Sequence, residues 1–179
     1  NGVSVGAYLL ASFAAYAVGN VMVYGFGIGV AVERGQKVDL LLRATPLPPA
    51  VAITAKVLNA LIFSLLSITA LIVYGVLVGG LHQNLAVWAN VVVRLLAGSL
   101  PFVGLGFAIG YSVGPNAAPA VANLIYLPLA FASGLFMPVS QLPGFVQKMA
   151  PYLPTYHYGQ LAWSAVGAPA EPLLTSLAW

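Results

Sequence analysis

From Val3 to Val32 the chain carries no charged side chain. A helix over that stretch rises about 1.5 Å per residue, enough to cross and tilt within the roughly 30 Å hydrocarbon core of a bilayer. No other feature constrains the fold as tightly, and three later stretches repeat it. Ala50 to Gly79 has Lys56 near its first turns, where a long side chain snorkels to the headgroups. Val87 to Val113 has Arg94 in a similar position near its start. Ala117 to Met137 is uncharged, and its Pro119 and Pro128 predict a kinked or broken helix. A further apolar stretch starts at about Pro172 and runs to Trp179. The expected fold is all-α: a single polytopic transmembrane helix bundle over residues 1–179, with spans at about 3–32, 50–79, 87–113 and 117–137, and the start of another at 172–179.

Composition places the chain in lipid. Charged residues make up 5% and hydrophobic ones 61%, against about 25% charged in soluble domains. The formal charge of +3 comes from six basic residues spread thinly along the chain; they form no stripe for nucleic acid and serve as topology markers. With no cysteine, disulfides, thiolate metal sites and cysteine nucleophiles are excluded. The chain opens on Asn1 with no basic n-region and no small-residue cleavage site, so the start reads as a truncation and not as a signal peptide.

Between the first two apolar runs lies a charged island, Glu33 to Pro49, holding Glu33, Arg34, Lys37, Asp39 and Arg43. Arg34, Lys37 and Arg43, with Lys56 just beyond, outnumber Arg94 and Lys148 on the alternate side, which puts the island in the cytosol. Val38, Leu41, Leu42 and Thr45 recur at i, i+3, i+4, i+7, the stripe of a short amphipathic helix on the membrane surface. An ordinary solvated loop whose charges only orient the protein is the alternative. Pro46 ends the segment, and Pro48 or Pro49 suits the first turn of the next span.

Alternation places the long connector, Pro138 to Ala170, on the outer side. Pro138, Pro143, Pro151 and Pro154 divide it into pieces too short to cross a bilayer. Those pieces are apolar: Leu142, Phe145, Val146 and Met149 form one helical face, and Tyr152, Tyr156, Tyr158 and Trp163 are the residue types that anchor at headgroup depth. A pair of short re-entrant helices capping the route outward is expected here, the alternative being an interfacial loop resting on lipid. Glycines four apart, at Gly25/Gly29, Gly75/Gly79, Gly106/Gly110 and Gly110/Gly114, permit close helix approach or reflect a glycine-rich composition.

Catalytic signals are missing. The sequence has no GxxxxGK[ST] phosphate loop, its three carboxylates, Glu33, Asp39 and Glu171, are peripheral, and no nucleophile elbow can be placed. His82 and His157 are isolated and read as outer loop residues. A proton- or sodium-coupled transporter carries ionisable groups near mid-membrane, whereas the interior polar residues here are amides and hydroxyls such as Asn20, Asn59, Ser64 and Ser67. Charged-ring or carbonyl-filter signals of a channel are also lacking. A neutral, aromatic-rich route suits an amphiphilic, drug-like or lipid-linked molecule better than a compact ion.

Two segments carry a resemblance. Glu33 to Pro49, an acidic-led helix ending in ThrProLeuProPro, resembles the cytosolic segment of type-2 ABC-transporter permeases. Asn123 to Tyr158 resembles that family's signature run, with Pro128, Ser133, Gly134, Pro138, Leu142, Pro143 and Pro154 at the expected offsets. The resemblance implies the second to fifth of six spans plus the start of the sixth, a multi-pass protein of the plasma (inner) membrane, and a dimer, homo- or hetero-, of permeases. It also implies a cytosolic ATPase partner that holds ATP and Mg, with no cofactor in this chain. Glu33, Arg34, Lys37, Val38, Leu41 and Leu42 would then form the coupling helix that the ATPase grips, Pro138, Leu142, Pro143, Phe145 and Pro154 the outer re-entrant gate, and Gly106 and Gly110 a helix-packing face. A non-transporting membrane scaffold or insertion factor, using the same helix as a static docking surface, is the competing class.

Overall fold

The computed structural model describes residues 5–38, 44–46, 48–170, 172 and 176. Among them seven α-helices follow in order: α1 (Val5–Gly35), α2 (Pro49–Leu77), α3 (Leu85–Gly98), α4 (Leu100–Ser112), α5 (Ala118–Ala132), α6 (Gly144–Met149) and α7 (Pro154–Ala165). Single 3₁₀ turns, Val139–Gln141 and Ala150–Tyr152, flank α6. The molecule is a polytopic helical membrane bundle. Among the described residues three stretches are long and apolar enough to cross a bilayer: Val5–Gly35, Ala50–Leu77 and Leu85–Ser112.

Helix α1 is the axis of the bundle, packing against α2, α3, α4, α5 and α7. Its N-terminal half supplies small buried residues, Ala7, Ala11, Ser12, Ala14 and Ala15, where neighbours close in; its C-terminal half supplies Met22, Val23, Phe26 and Val30 as larger fillers. Without a hydrophobic drive between helices in lipid, such close van der Waals packing is what holds spans together. Helix α2 starts where the two prolines predict, with Pro48 extended and Pro49 as the first helical residue. Asn84 caps α3, its side chain accepting from the Ala86 amide at 3.2 Å.

The third span is jointed. An unbroken helix is expected over Val87 to Val113, but α3 stops at Gly98 and α4 restarts at Leu100. Pro101, in the first turn of α4, supplies no amide donor to the preceding helix, and the Ser99 amide turns to Leu96 O, three residues back. The Leu95 carbonyl freed by that shift accepts from the Tyr158 hydroxyl at 3.0 Å, as a buried backbone group in lipid requires.

Helix α5 is also shorter than its apolar run. It contains Pro128 and ends at Ala132, followed by a turn at Gly134 with φ of 84°. A Cβ there would meet the Val139 side chain. Fifteen residues rise only about 22 Å. The bundle is completed by α7, which runs against α3: Ser164 meets Arg94, while Pro154 and His157 line a cavity with Leu100, Pro101 and Phe102 at the α3–α4 joint.

Candidate functional site

The first two charges of the island do not stand on a surface helix. No breaker intervenes after Val32, so α1 continues to Gly35 and carries Glu33 and Arg34 in its last turn, where a cation also complements the negative end of the helix dipole. Gln36 and Lys37 then turn the chain, Lys37 at φ of 57°. Of the expected amphipathic stripe, Val38 is half-buried and Thr45 exposed, while Leu41 and Leu42 lie outside the described residues.

Glu33 and Arg34 fasten α1 to two different neighbours. Glu33 pairs with Lys56 near the start of α2, both side chains only partly exposed. Arg34 Nη1 donates to Gly110 O at 2.9 Å and Tyr111 O at 2.8 Å at the end of α4, and the guanidinium lies 5.3 Å from the Tyr111 ring centroid. One turn of α1 therefore ties three helices together at the end of the bundle where the chain enters the island. Gly35 adds a close contact, since a Cβ there would come within 2.9 Å of Pro115.

Above this staple, Gly106 and Gly110 lie against α1. A Cβ on Gly106 would stand 2.7 Å from Phe26 Cβ and 3.0 Å from Met22 O; one on Gly110 would stand 2.8 Å from Val30 Cβ and 2.9 Å from Gly27 O. The contact is within one chain. Gly25 and Gly29, equally spaced, meet nothing within 4 Å and open onto a groove of about 260 Å³ between α1 and α2.

Beyond α5, Pro138 and Pro143 stand immediately before the first 3₁₀ turn and α6, and Pro154 opens α7. Gln147 clasps the pieces by donating to Ser140 O at 3.2 Å and Leu142 O at 2.8 Å. Leu142 is half-buried, but Phe145 and Met149 are exposed, so the apolar face of α6 looks away from the protein. Helix α7 is instead a core element. Tyr158 and Trp163, expected as headgroup anchors, are buried: Trp163 Nε1 donates to Ser12 Oγ at 2.7 Å and its ring stacks on Tyr8. His157, expected in an outer loop, is buried with Nε2 2.8 Å from Pro151 O. Ser133 and Thr155 share a buried hydroxyl contact that joins the end of α5 to the first turn of α7.

Sequence reasoning missed an aromatic wall. Phe13, Tyr16, Asn20 and Tyr24 recur at helical spacing along α1, as do Asn123, Leu127 and Phe131 along α5. Phe136 stacks on Phe131 at 4.5 Å and meets Tyr16 at 4.8 Å and Phe13 at 6.3 Å. Tyr16 stacks on Tyr126, and Tyr24 donates to Asn123 Oδ1. Phe13 and Phe131 remain about two-fifths exposed, so the wall presents aromatic surface with a phenol–amide pair nearer the staple. The stripe was present in the sequence; nothing there told which face of α1 it shared with α5.

Comparison with known proteins agrees on a class. A family model described as ABC-2 type transporter matches residues 3–165. The protein named "Putative transport permease YvfS", from Bacillus subtilis (strain 168), is 30% identical over 160 residues, which cover 89% of this chain and 65% of the relative. This chain thus spans about two thirds of the length of the curated relative it matches. No solved structure matches.

Proposed function

The chain belongs to the ABC-2 type transporter family, and from that premise we propose that it is the membrane-spanning part of an ATP-driven exporter of amphiphilic, drug-like or lipid-linked molecules. A separate cytosolic ATPase binds and hydrolyses ATP with Mg, and two permeases, alike or different, assemble with two such subunits in the plasma (inner) membrane. The island from Gln36 onward is the segment the ATPase presses.

The observation that carries this reading is the staple in the last turn of α1. A push delivered just past Gly35 reaches α2 through Glu33–Lys56 and α4 through Arg34, because both contacts sit within one turn of the point of entry. In this reading Lys37 meets the ATPase and Val38 packs the segment to the bundle, a role assigned also to Leu41 and Leu42, which lie outside the described residues. Glu33 and Arg34 act as transmitters inside the permease. The aromatic wall of α1 and α5 supports an amphiphilic cargo, since partly exposed rings beside one phenol–amide pair suit apolar bodies with few polar groups. The segment around Pro138, Leu142, Pro143, Phe145 and Pro154 forms the outer gate.

Reconstitution of the intact permease with its ATPase in proteoliposomes tests the reading. ATP-dependent movement of a fluorescent amphiphile supports it. A stable complex that hydrolyses ATP without moving any amphiphile, or one whose permease is indifferent to nucleotide, supports the scaffold instead.

A further inference from the structure

Where α1 and α4 end, a cavity of about 510 Å³ opens, lined by Arg34, Lys37, Tyr111, Ser112, Gly114 and Pro115 among others. Among the described residues, two cations and no carboxylate line it. The carboxylate on the same helical turn, Glu33, is turned to α2 and neutralised by Lys56. The end of a helix ordinarily repels anions because its last carbonyls are unpaired and negative. Here that obstacle is reduced: Arg34 Nη1 bonds both Gly110 O and Tyr111 O, two of the last carbonyls of α4. Those bonds and the Tyr111 ring hold the guanidinium in place. A guanidinium has five N–H donors, and the bonds to α4 use Nη1, leaving those on Nε and Nη2 to a ligand.

We propose that this cavity binds the phosphodiester headgroup of one anionic phospholipid, with Arg34 and Lys37 as its cationic ligands. The charge-free run of α1 stops at Val32 and Arg34 follows within one turn, so the cavity stands where hydrocarbon gives way to headgroups. Basic pockets between spans at that depth select anionic lipids. A bound headgroup would bridge the end of α1 to the turn between α4 and α5, beside the Gly35–Pro115 contact, and so set the stiffness of the staple. The proposal rests on the reading above only for naming the leaflet as cytosolic.

The test uses the intact permease without its ATPase, so its failure is separate from failure of the coupling reading. Native mass spectrometry counts lipids retained from mixed micelles of phosphatidylglycerol and phosphatidylcholine. Wild type is expected to keep phosphatidylglycerol selectively, and Lys37→Gln to weaken that retention roughly fivefold, the worth of one cation near the surface. Arg34→Gln with Lys37→Gln should abolish the preference, while Lys148→Gln, a basic residue exposed on α6, should leave it unchanged. Lys37 is exposed, so its variant carries the test if loss of Arg34 impairs folding. Equal retention in wild type and Lys37→Gln, or an equal loss in Lys148→Gln, overturns the site. Saturable binding of inorganic phosphate without any lipid preference overturns the lipid as its source.

Discussion

The Tyr158 hydroxyl donates to the Leu95 carbonyl at 3.0 Å, across the packed face of α7 and α3 and one turn before the Ser99 joint. The bond explains how a broken span survives in lipid: the carbonyl released when the Ser99 amide moves to Leu96 finds a donor on another element. Tyr158→Phe keeps the ring, which packs edge-on to Phe102 at 5.0 Å, and removes only the donor. It should destabilise the protein by about 1–3 kcal/mol, read as a lower thermal midpoint in detergent with the fold retained.

The two glycine pairs make opposite predictions. Gly110→Leu drives a side chain into the backbone of α1 at Gly27 and Phe26 and should cost about 3 kcal/mol or more or block assembly. Gly25→Leu points into open space and should leave expression and thermal stability within about 0.5 kcal/mol of wild type. Equal behaviour of the two variants would remove the case for α1–α4 packing.

Reversing the Glu33–Lys56 pair separates its charge from its bulk. Lys56→Glu alone places two carboxylates together and should lower both stability and transport, while Glu33→Lys with Lys56→Glu should recover most of the loss. A double-mutant cycle should return about 0.5–3 kcal/mol of coupling. The reversed pair must be checked for orientation first, since moving a cation alters the topology signal.

Cargo recognition by the wall is checked with Phe13→Ala and Phe131→Ala. Both rings are partly exposed and neither is a buried core residue, so stability should change little. The apparent KM for an aromatic amphiphile should rise several-fold with maximal rate preserved, the sign of lost binding without lost coupling.

Much of this architecture was legible in charge and length alone. The first span follows from a charge-free run, the second from a long apolar run with Lys56 alone near its start, and the start of α2 from Pro48 and Pro49. Less was legible at the joints. Pro101 marks the α3–α4 break, but one proline near mid-span says little until its partner carbonyl acceptors are known. Helix α1 overran its apolar stretch because a helix ends where its hydrogen bonds do, and Glu33 and Arg34 are good helix formers with partners on α2 and α4. Trp163 and Tyr158 look like interfacial anchors in one dimension. Only the folding-back of α7 against α1 and α3 gives their polar atoms Ser12 and Leu95 to bond.

The central claim, that nucleotide on the partner moves the outer end of the bundle, is tested most directly by cysteine labelling from outside. This chain has no native cysteine, so single cysteines at Lys148 and Gln160 can be compared in the assembled transporter once any others are removed. Lys148 is exposed and Gln160 buried on α7. The account predicts fast labelling at Lys148 in every state, protection at Gln160 without nucleotide, and a changed rate at Gln160 when ATP is trapped on the ATPase. Labelling of Gln160 as fast as Lys148, or a rate at Gln160 unaffected by trapped ATP, would contradict it.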